Sequence, residues 1–231
     1  MGSGQDDSGP AGDGAVKRGV RAGTPYALAA FLLAASFGIL ARPVMGPVAP
    51  IVMSAVVFAG SAQFAALAVL SAGGDPVAAI LAGSLLNLRY LPMGVAIAPS
   101  VRGGPLRRAA HGQSMIDQSW ALANQGEGRF DIPFMHGVTL SAYPLWVLGT
   151  IAGVFGATAI DDPGKFGLDA LFPAFFLALL VGGELRSSRA AVLAAVIGAA
   201  IALALVQFAA PGIPVIAASL GALVGLWVPR P

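Results

Sequence analysis

The chain has 231 residues, of which 57% are hydrophobic and 10% are charged, with a formal net charge of +2 and a mean hydropathy of +0.81. A soluble domain carries roughly 25% charged residues, so this composition excludes an ordinary water-soluble protein and indicates a polytopic membrane protein. Because the sequence has no cysteine, disulfides, thiolate metal sites and cysteine nucleophiles are excluded as well.

The first 24 residues are polar and glycine-rich, and their acidic part is followed by Lys17, Arg18 and Arg21. This composition predicts a disordered N-terminal tail over residues 1–24 that ends in a basic anchor, followed by a single transmembrane domain over 25–231. A secretory signal peptide is the alternative. The leading part is too long and too acidic to favour it.

Apolar segments then follow one another, each long enough or nearly long enough to cross about 30 Å of hydrocarbon as a helix. We therefore predict an all-α, polytopic transmembrane helix bundle with about six to seven membrane segments. The segments are 25–41, 47–72, 76–98, 133–157, 168–183, 189–209 and 212–229. The chain is polar between 99 and 132, where "QSMIDQSWALANQ" predicts a helix at the membrane interface or packed on the bundle.

Loop charges predict an orientation, because Lys and Arg favour the cytoplasmic side of short loops. The N-terminal tail and the loops at 99–112 and 184–189 are basic and are predicted inside, whereas the loop at 160–167 is acidic and is predicted outside. From an inside N-terminus, full crossings by all the segments before residue 99 would put the 99–112 loop on the wrong side.

The segment at 47–72 offers a solution, since Pro50 and "FAGSAQF" at 58–64 interrupt it. We predict that it enters the membrane and returns as two half-helices around residues 59–62. Such breaks are tolerated at membrane depth where they are buried in protein or line a cavity, and in transporters they hold the substrate. The alternative is an N-terminus outside, with every segment crossing.

Polar residues inside these segments are the candidates for function. Arg89 lies too deep in its segment to reach the interface fully, so it must face the bundle interior and needs a partner. If Arg89 is functional, its partner is the carboxylate of a substrate or a carboxylate that takes part in coupling. If Arg89 is structural, its partner is a buried acid or backbone carbonyls. Asn87 is a second candidate, with an interhelical hydrogen bond as the alternative. Asp117 is either a proton-coupling acid, the partner of Arg89, or a solvated cytoplasmic carboxylate.

The stretch Gly60-Ser61 predicts a helix start, with Ser61 as the N-cap. The amides that follow would lie free at the positive end of a half-helix, where they bind an anion without a cationic side chain. Gln63 adds a neutral donor and acceptor. A packing glycine, with Ser61 bonded back into its own helix, is the structural alternative.

No sequence signature indicates an enzyme, a cofactor, a metal ion or nucleic acid as a partner. The phosphate-binding loop, the Gly-x-Ser-x-Gly elbow and the His-Glu-x-x-His motif are all absent. His111 and His136 are interpreted as isolated histidines. The small-residue pairs Gly149/Gly153 and Gly221/Gly225 predict close helix packing.

Three stretches resemble, in order and spacing, the AzlC-type family, the large subunits of branched-chain amino acid exporters. They are "VFAGSAQFAAL" at 57–67, "LLNLRYLPMGV" at 85–95 and "MIDQSWALA" at 115–123. The likeness runs from about residue 25 to the end and is most specific over 50–125. Two positions depart from the family pattern, which often has His in place of Tyr90 and Glu in place of Gln118.

The resemblance implies a permease subunit that exports valine, leucine or isoleucine across the inner membrane, driven by the proton gradient, with a separate small AzlD-type membrane subunit. Gly60, Ser61, Gln63, Asn87 and Arg89 would then bind the amino acid, and Asp117 would serve coupling or an ion pair. A channel or transporter for another small solute is the main alternative. A non-transporting membrane scaffold subunit is the third.

Overall fold

The computed structural model describes residues 10–159, 189–209 and 213–226, with single positions between 165 and 181. This part of the chain is all-helical, apart from turns and one isolated bridge between Asn124 and Phe130. The predicted segment 168–183 and most of the loops at 160–167 and 184–189 lie outside the described residues.

The α-helices in chain order are α1 (Pro10–Met45), α2 (Ala49–Val56), α3 (Gly60–Ser71), α4 (Pro76–Asn87), α5 (Tyr90–Ile97), α6 (Pro105–Gln113), α7 (Asp117–Ala123), α8 (Ile132–Gly156), α9 (Arg189–Leu205) and α10 (Ile213–Ala218). Short 3₁₀ helices occupy Ala98–Ser100, Ala157–Ala159 and Ser219–Leu226. Among the described residues, three stretches are long and apolar enough to cross a membrane, namely Gly12–Met45, Pro76–Ser100 and Ile132–Gly156. The helical membrane class is confirmed, and the total number of segments stays a prediction.

The N-terminal region differs from the sequence-based expectation. Residues 10–24, predicted as part of a disordered tail, form the first turns of α1, and Ala15 is buried. Gly19 and Gly23 are the physical reason, since a Cβ at either position would collide with the backbone of α8. The absence of side chains lets the two helices meet closely enough to order a stretch whose composition is otherwise polar.

α1 and α8 pack against each other along their length and run in the same direction. Gly19 of α1 lies against Gly137 near the start of α8, and Gly38 lies against Val154 near its end. Gly153 contacts the backbone of Ala35. The packing roles predicted for Gly149 and Gly153 are confirmed, as is that of Gly221, which approaches the backbone of Ala194 and Gly198.

This parallel arrangement agrees with one of the two predicted topologies. If α1 and α8 both cross the membrane in the same direction, the chain between them crosses an odd number of times. The stretch Pro76–Ser100 is long and apolar enough to make one crossing, and with that single crossing the predicted return of the segment 47–72 gives the observed parallel arrangement. The alternative, in which every segment crosses, would make α1 and α8 antiparallel.

The path of α2 and α3 agrees with this re-entrant topology. α2 turns back beside α8, where Ser54 bonds Thr150, and the tip residue Phe58 packs beside Ala27, halfway along α1. α3 then returns along α1, and its Leu67 shares an apolar cluster with Ala41. The break lies at Val57–Ala59, slightly before the predicted 59–62, because Phe58 adopts a left-handed conformation with φ 44°.

A second hairpin, formed by α6 and α7, comes from the opposite end of α8. Its tip, residues 114–116, reaches the same level as the first tip, since Ile116 shares a cluster with Ala27 and Phe58. α7 returns to the start of α8, where the backbone N–H of Asp131 donates a hydrogen bond to the carbonyl of Ala123. Of the two interpretations of this polar stretch, the structure shows the helix packed on the bundle.

Candidate functional site

A small cavity lies where three interruptions of the helices meet. It has a volume of about 180 Å³ and is bounded by the α2–α3 tip, the α4–α5 break and the end of α6 with the α6–α7 tip. Its lining residues are Val57, Phe58, Ala59, Asn87, Tyr90, Gly112, Gln113, Met115 and Ile116. Polar atoms make up the larger part of its exposed wall, and the polar side chains that line it are those of Asn87, Tyr90 and Gln113.

The helix ends at this cavity expose backbone groups. In α3 the first intrahelical hydrogen bond runs from the Gln63 amide to the Ala59 carbonyl. The amides of Gly60 and Ser61 come before it, so they have no acceptor within the helix. The N-cap is Ala59, which lines the cavity, rather than the predicted Ser61. The hydroxyl of Ser61 is buried and has no hydrogen-bond partner among the described residues. The predicted positive helix end is therefore present two residues earlier along the chain.

Asn87 is the predicted site residue that lines the cavity. It is the last residue of α4, and its Oδ1 atom is buried without a partner in the described part of the chain. A buried acceptor without a partner costs about 1–3 kcal/mol, so this position is unfavourable unless something outside the protein satisfies it.

Arg89, in the break after α4, forms a two-pronged ion pair with Asp117. Its Nε and Nη2 donate to the two carboxylate oxygens at 2.9 and 2.8 Å, and Nη1 donates to the Leu86 carbonyl at 2.9 Å. The Arg89 side chain is 34% exposed and that of Asp117 is 53% exposed. The pair joins the α4–α5 break to the first residue of α7.

Tyr90 connects this ion pair to the cavity. Its hydroxyl accepts a hydrogen bond from Arg89 Nη2 at 3.3 Å, and the guanidinium lies 4.8 Å from the centre of its ring. Tyr90 also lines the cavity. Tyr90 thus holds the arginine beside the cavity wall.

Gln63 lies elsewhere, in a closed polar network behind the α2–α3 tip. It is fully buried; its Nε2 donates to Ser54 Oγ at 2.8 Å and its Oε1 accepts from Trp146 Nε1 at 3.0 Å. Ser54 in turn bonds Thr150 at 2.7 Å. Gly60 packs against Trp146, a member of this network, because a Cβ at position 60 would lie 2.7 Å from the Trp146 ring.

The predicted residues therefore fall into two groups. Asn87, Arg89 and Asp117 lie at or beside the cavity, whereas Gly60, Ser61 and Gln63 lie behind it, with Ala59 forming the wall. Sequence reasoning missed the left-handed backbone conformation of Phe58, since nothing in an apolar run signals it.

It also missed a contact between the two histidines. His111 and His136, interpreted as isolated, lie 2.9 Å apart through Nδ1 and Nε2. They stand 25 positions apart in sequence on different helices, so no local pattern predicts their meeting. Within the described residues, no three His, Asp or Glu side chains converge as metal ligands.

Comparison with known proteins places this architecture among membrane proteins. A family model described as AzlC protein matches residues 25–160. The chain is 28% identical over 185 residues to the branched-chain amino acid transport protein AzlC of Bacillus subtilis, covering 73% of this chain and 69% of that protein. No solved structure matches.

Two further relatives are similar over most of their length. The inner membrane protein YgaZ of Escherichia coli is 25% identical over 202 residues, covering 81% of each chain. An uncharacterized membrane protein of Archaeoglobus fulgidus is 31% identical over 220 residues, covering 91% of this chain and 94% of that protein.

Proposed function

Because the chain belongs to the AzlC protein family, we propose that it is a membrane permease subunit that exports branched-chain amino acids across the inner membrane. The name of the Bacillus subtilis relative supplies the substrate class, and the name of the Escherichia coli relative supplies the membrane. Valine, leucine and isoleucine are the proposed substrates. A small AzlD-type membrane subunit is the proposed partner.

The observation that carries this proposal is the cavity at the three helix breaks. Interrupted helices at membrane depth present unpaired backbone groups, which is how secondary transporters hold small charged solutes. The volume of about 180 Å³ is below the roughly 300–1,000 Å³ of pockets for drug-sized ligands, which favours a small solute.

A zwitterionic amino acid needs an anion site, a cation site and an apolar pocket. The carboxylate would contact Arg89 or the amides at the start of α3, where the helix dipole is positive. The ammonium would contact Asp117 or the unpaired Oδ1 of Asn87. Phe58, with the neighbouring Met115 and Ile116, would enclose the branched side chain.

We further propose that transport is driven by the proton gradient and that the N-terminus is cytoplasmic. The basic residues near the start of α1 and in the 99–112 loop support this orientation. Since the chain contains no cysteine, single cysteines report the topology directly. Cysteines replacing Val48 and Ala72 should react with an impermeant maleimide from the periplasmic side, and one replacing Arg102 only from the cytoplasmic side.

The transport experiment measures efflux of valine, leucine and isoleucine from cells loaded with dipeptides, with this protein and its candidate small subunit. Arg89→Gln should abolish the increase in efflux. Arg129→Gln is the control, because Arg129 is 69% exposed and pairs only with Glu127 in the described structure. Unchanged efflux in cells that express both subunits well would contradict the substrate. Equal efflux by the Arg89 variant would remove Arg89 from the site.

A further inference from the structure

The sequence contains two histidines, and they form a polar link between α6 and α8. The N···N separation of 2.9 Å is that of a hydrogen bond, and the ring planes lie within 7° of parallel with centroids 4.9 Å apart. Both side chains are half-buried. Two imidazoles in direct contact at a protein interior behave as one titrating unit rather than as separate groups.

The hydrogen bond limits how many protons the pair holds. An N–H···N bond needs one nitrogen that carries a proton and one that offers a lone pair. This condition is met when the pair is neutral or carries one excess proton. A second excess proton makes both facing nitrogens donors and places two like charges in contact, which breaks the bond. The pair is thus suited to bind and release a single proton.

The pair also holds the second hairpin in place. One turn further along the same face of α8, Thr139 donates its hydroxyl to the carbonyl of Ser114 at the hairpin tip. The α6–α7 tip is therefore attached to α8 by one contact that depends on protonation and one that does not.

The pair lies next to the candidate substrate cavity. His111 lines a neighbouring cavity of about 100 Å³, together with Arg108 and residues of the α5 end. Gly112 and Met115 line both cavities. A shift of α6 that follows a change of charge at His111 would move the wall of the substrate cavity directly.

We propose that His111 and His136 form a shared proton-binding site that couples proton movement to transport, an inference that rests on the proposed function. A proton from one aqueous side binds a ring nitrogen lone pair and raises the charge of the pair from neutral to one positive charge. The same N–H bond breaks when the proton leaves to the other side. No other bond changes and no co-reactant is needed.

The charged groups on the surrounding elements are mainly basic. On α6, Arg107 and Arg108 lie on the turn before His111, and Arg102 follows the end of α5. On α1, which packs on α8, Lys17 and Arg21 are exposed. Arg18 lies 3.8 Å from Asp131, just before α8. On α7, Asp117 is engaged by Arg89. In the described structure Asp131 and Asp117 thus each have an arginine partner, whereas Asp13 on α1 is exposed.

A spectroscopic experiment tests the site without any transport. Protein labelled with ¹⁵N-histidine and purified without a histidine tag gives side-chain signals from these two residues alone. We expect ¹⁵N–¹⁵N coupling across the bond, uptake of one proton with the coupling retained, and loss of the coupling when the second proton binds. Two independent titrations without coupling at any pH would overturn the proposal.

A transport experiment then tests the coupling. In proteoliposomes holding this protein and its small subunit, a pH gradient should drive labelled leucine above the external concentration. His111→Gln and His136→Gln should lose this accumulation while leucine–leucine exchange persists without a gradient. Thr139→Val is the matched control, since it removes the second contact to the hairpin but no titratable group, and it should still accumulate leucine.

The outcomes separate the two proposals. Accumulation by the histidine variants at the wild-type level would overturn the coupling role while leaving the transport function intact. If the wild-type protein neither exchanges nor accumulates any branched-chain amino acid, the proposed function fails. The ¹⁵N titration then still decides, on the wild-type chain, whether the pair binds one shared proton.

Discussion

The two sides of the α2–α3 tip have opposite polar chemistry. On the side of α8, Gln63, Ser54, Thr150 and Trp146 satisfy one another in a buried chain of hydrogen bonds. On the side of α5, α6 and α7, the Oδ1 of Asn87 has no partner among the described residues, and the ion pair of Arg89 is partly exposed. We refer to these as the closed side and the open side.

The difference shows that a polar residue in an apolar segment is not by itself a sign of function. A fully satisfied network stabilises one packing arrangement and has no capacity left for a ligand. A site for a ligand keeps unpaired groups and some access, at a cost in stability. Four substitutions follow, from the largest expected effect on unfolding to the smallest, and the last three test this division.

Gly153→Ala should have the largest effect, because a Cβ there lies 2.8 Å from the carbonyl carbon of Ala35 and α1 would have to move away. We expect the free energy of unfolding to fall by about 3 kcal/mol or more, since backbone cannot yield as a flexible side chain does. Gly156→Ala on the same helix is the control, as nothing lies within 4 Å of its Cβ position. Denaturant or thermal unfolding in detergent measures both.

Gln63→Leu should cost about 2 kcal/mol, because it leaves the buried Trp146 Nε1 without an acceptor while Ser54 keeps its bond to Thr150. Gln113→Leu on the open side is the comparison. Its amide makes only a long contact of 3.5 Å to Val56, so its loss should change stability by less than about 0.5 kcal/mol. Equal effects of the two substitutions would remove the distinction between the closed and the open side.

Exchanging the charges of the ion pair, Arg89→Asp with Asp117→Arg, should change stability by no more than about 1 kcal/mol, since the pair is partly exposed. Transport should nevertheless be lost, because the reversed pair cannot present its cation to a carboxylate at the same place. A structural role alone predicts the opposite. In that case the reversed pair would restore the transport that Arg89→Gln removes, as measured by amino acid efflux.

Asn87→Leu should have the smallest effect on folding and a clear effect on function. Removing a buried acceptor that has no described partner is expected to leave the unfolding free energy unchanged or to raise it by up to about 1 kcal/mol. If the amide binds the substrate, efflux falls at the same time. A marked loss of stability would instead mean that Asn87 has a structural partner.

Much of the fold was predictable, because periodicity, apolar length and glycine spacing are local properties. The interrupted segment at 47–72 followed from loop charges and counting, and the parallel packing of α1 on α8 agrees with the re-entrant topology predicted for it. Residues 10–24 were misjudged, since their order comes from packing on α8 rather than from their own composition.

The site was predictable only in part. Arg89 had to find a partner, and Asp117 was among the candidates, but the geometry that joins them depends on the α6–α7 hairpin. The meeting of His111 and His136 depends on the same tertiary packing. Ser61 satisfied the sequence rule for an N-cap, yet the helix begins at Gly60 because Phe58 turns the chain earlier.

Phe58 has a further consequence for the energy of the tip. A phenylalanine at φ 44° costs about 1–3 kcal/mol relative to an ordinary backbone conformation, and it persists only because its surroundings hold it. Its ring packs edge-on against Tyr143 at 5.0 Å. A second arrangement of the tip in which Phe58 relaxes would gain that amount. Since about 1.4 kcal/mol corresponds to a tenfold change in an equilibrium constant, relaxation of Phe58 would favour such an arrangement by roughly tenfold or more, set against the contacts that the tip would lose.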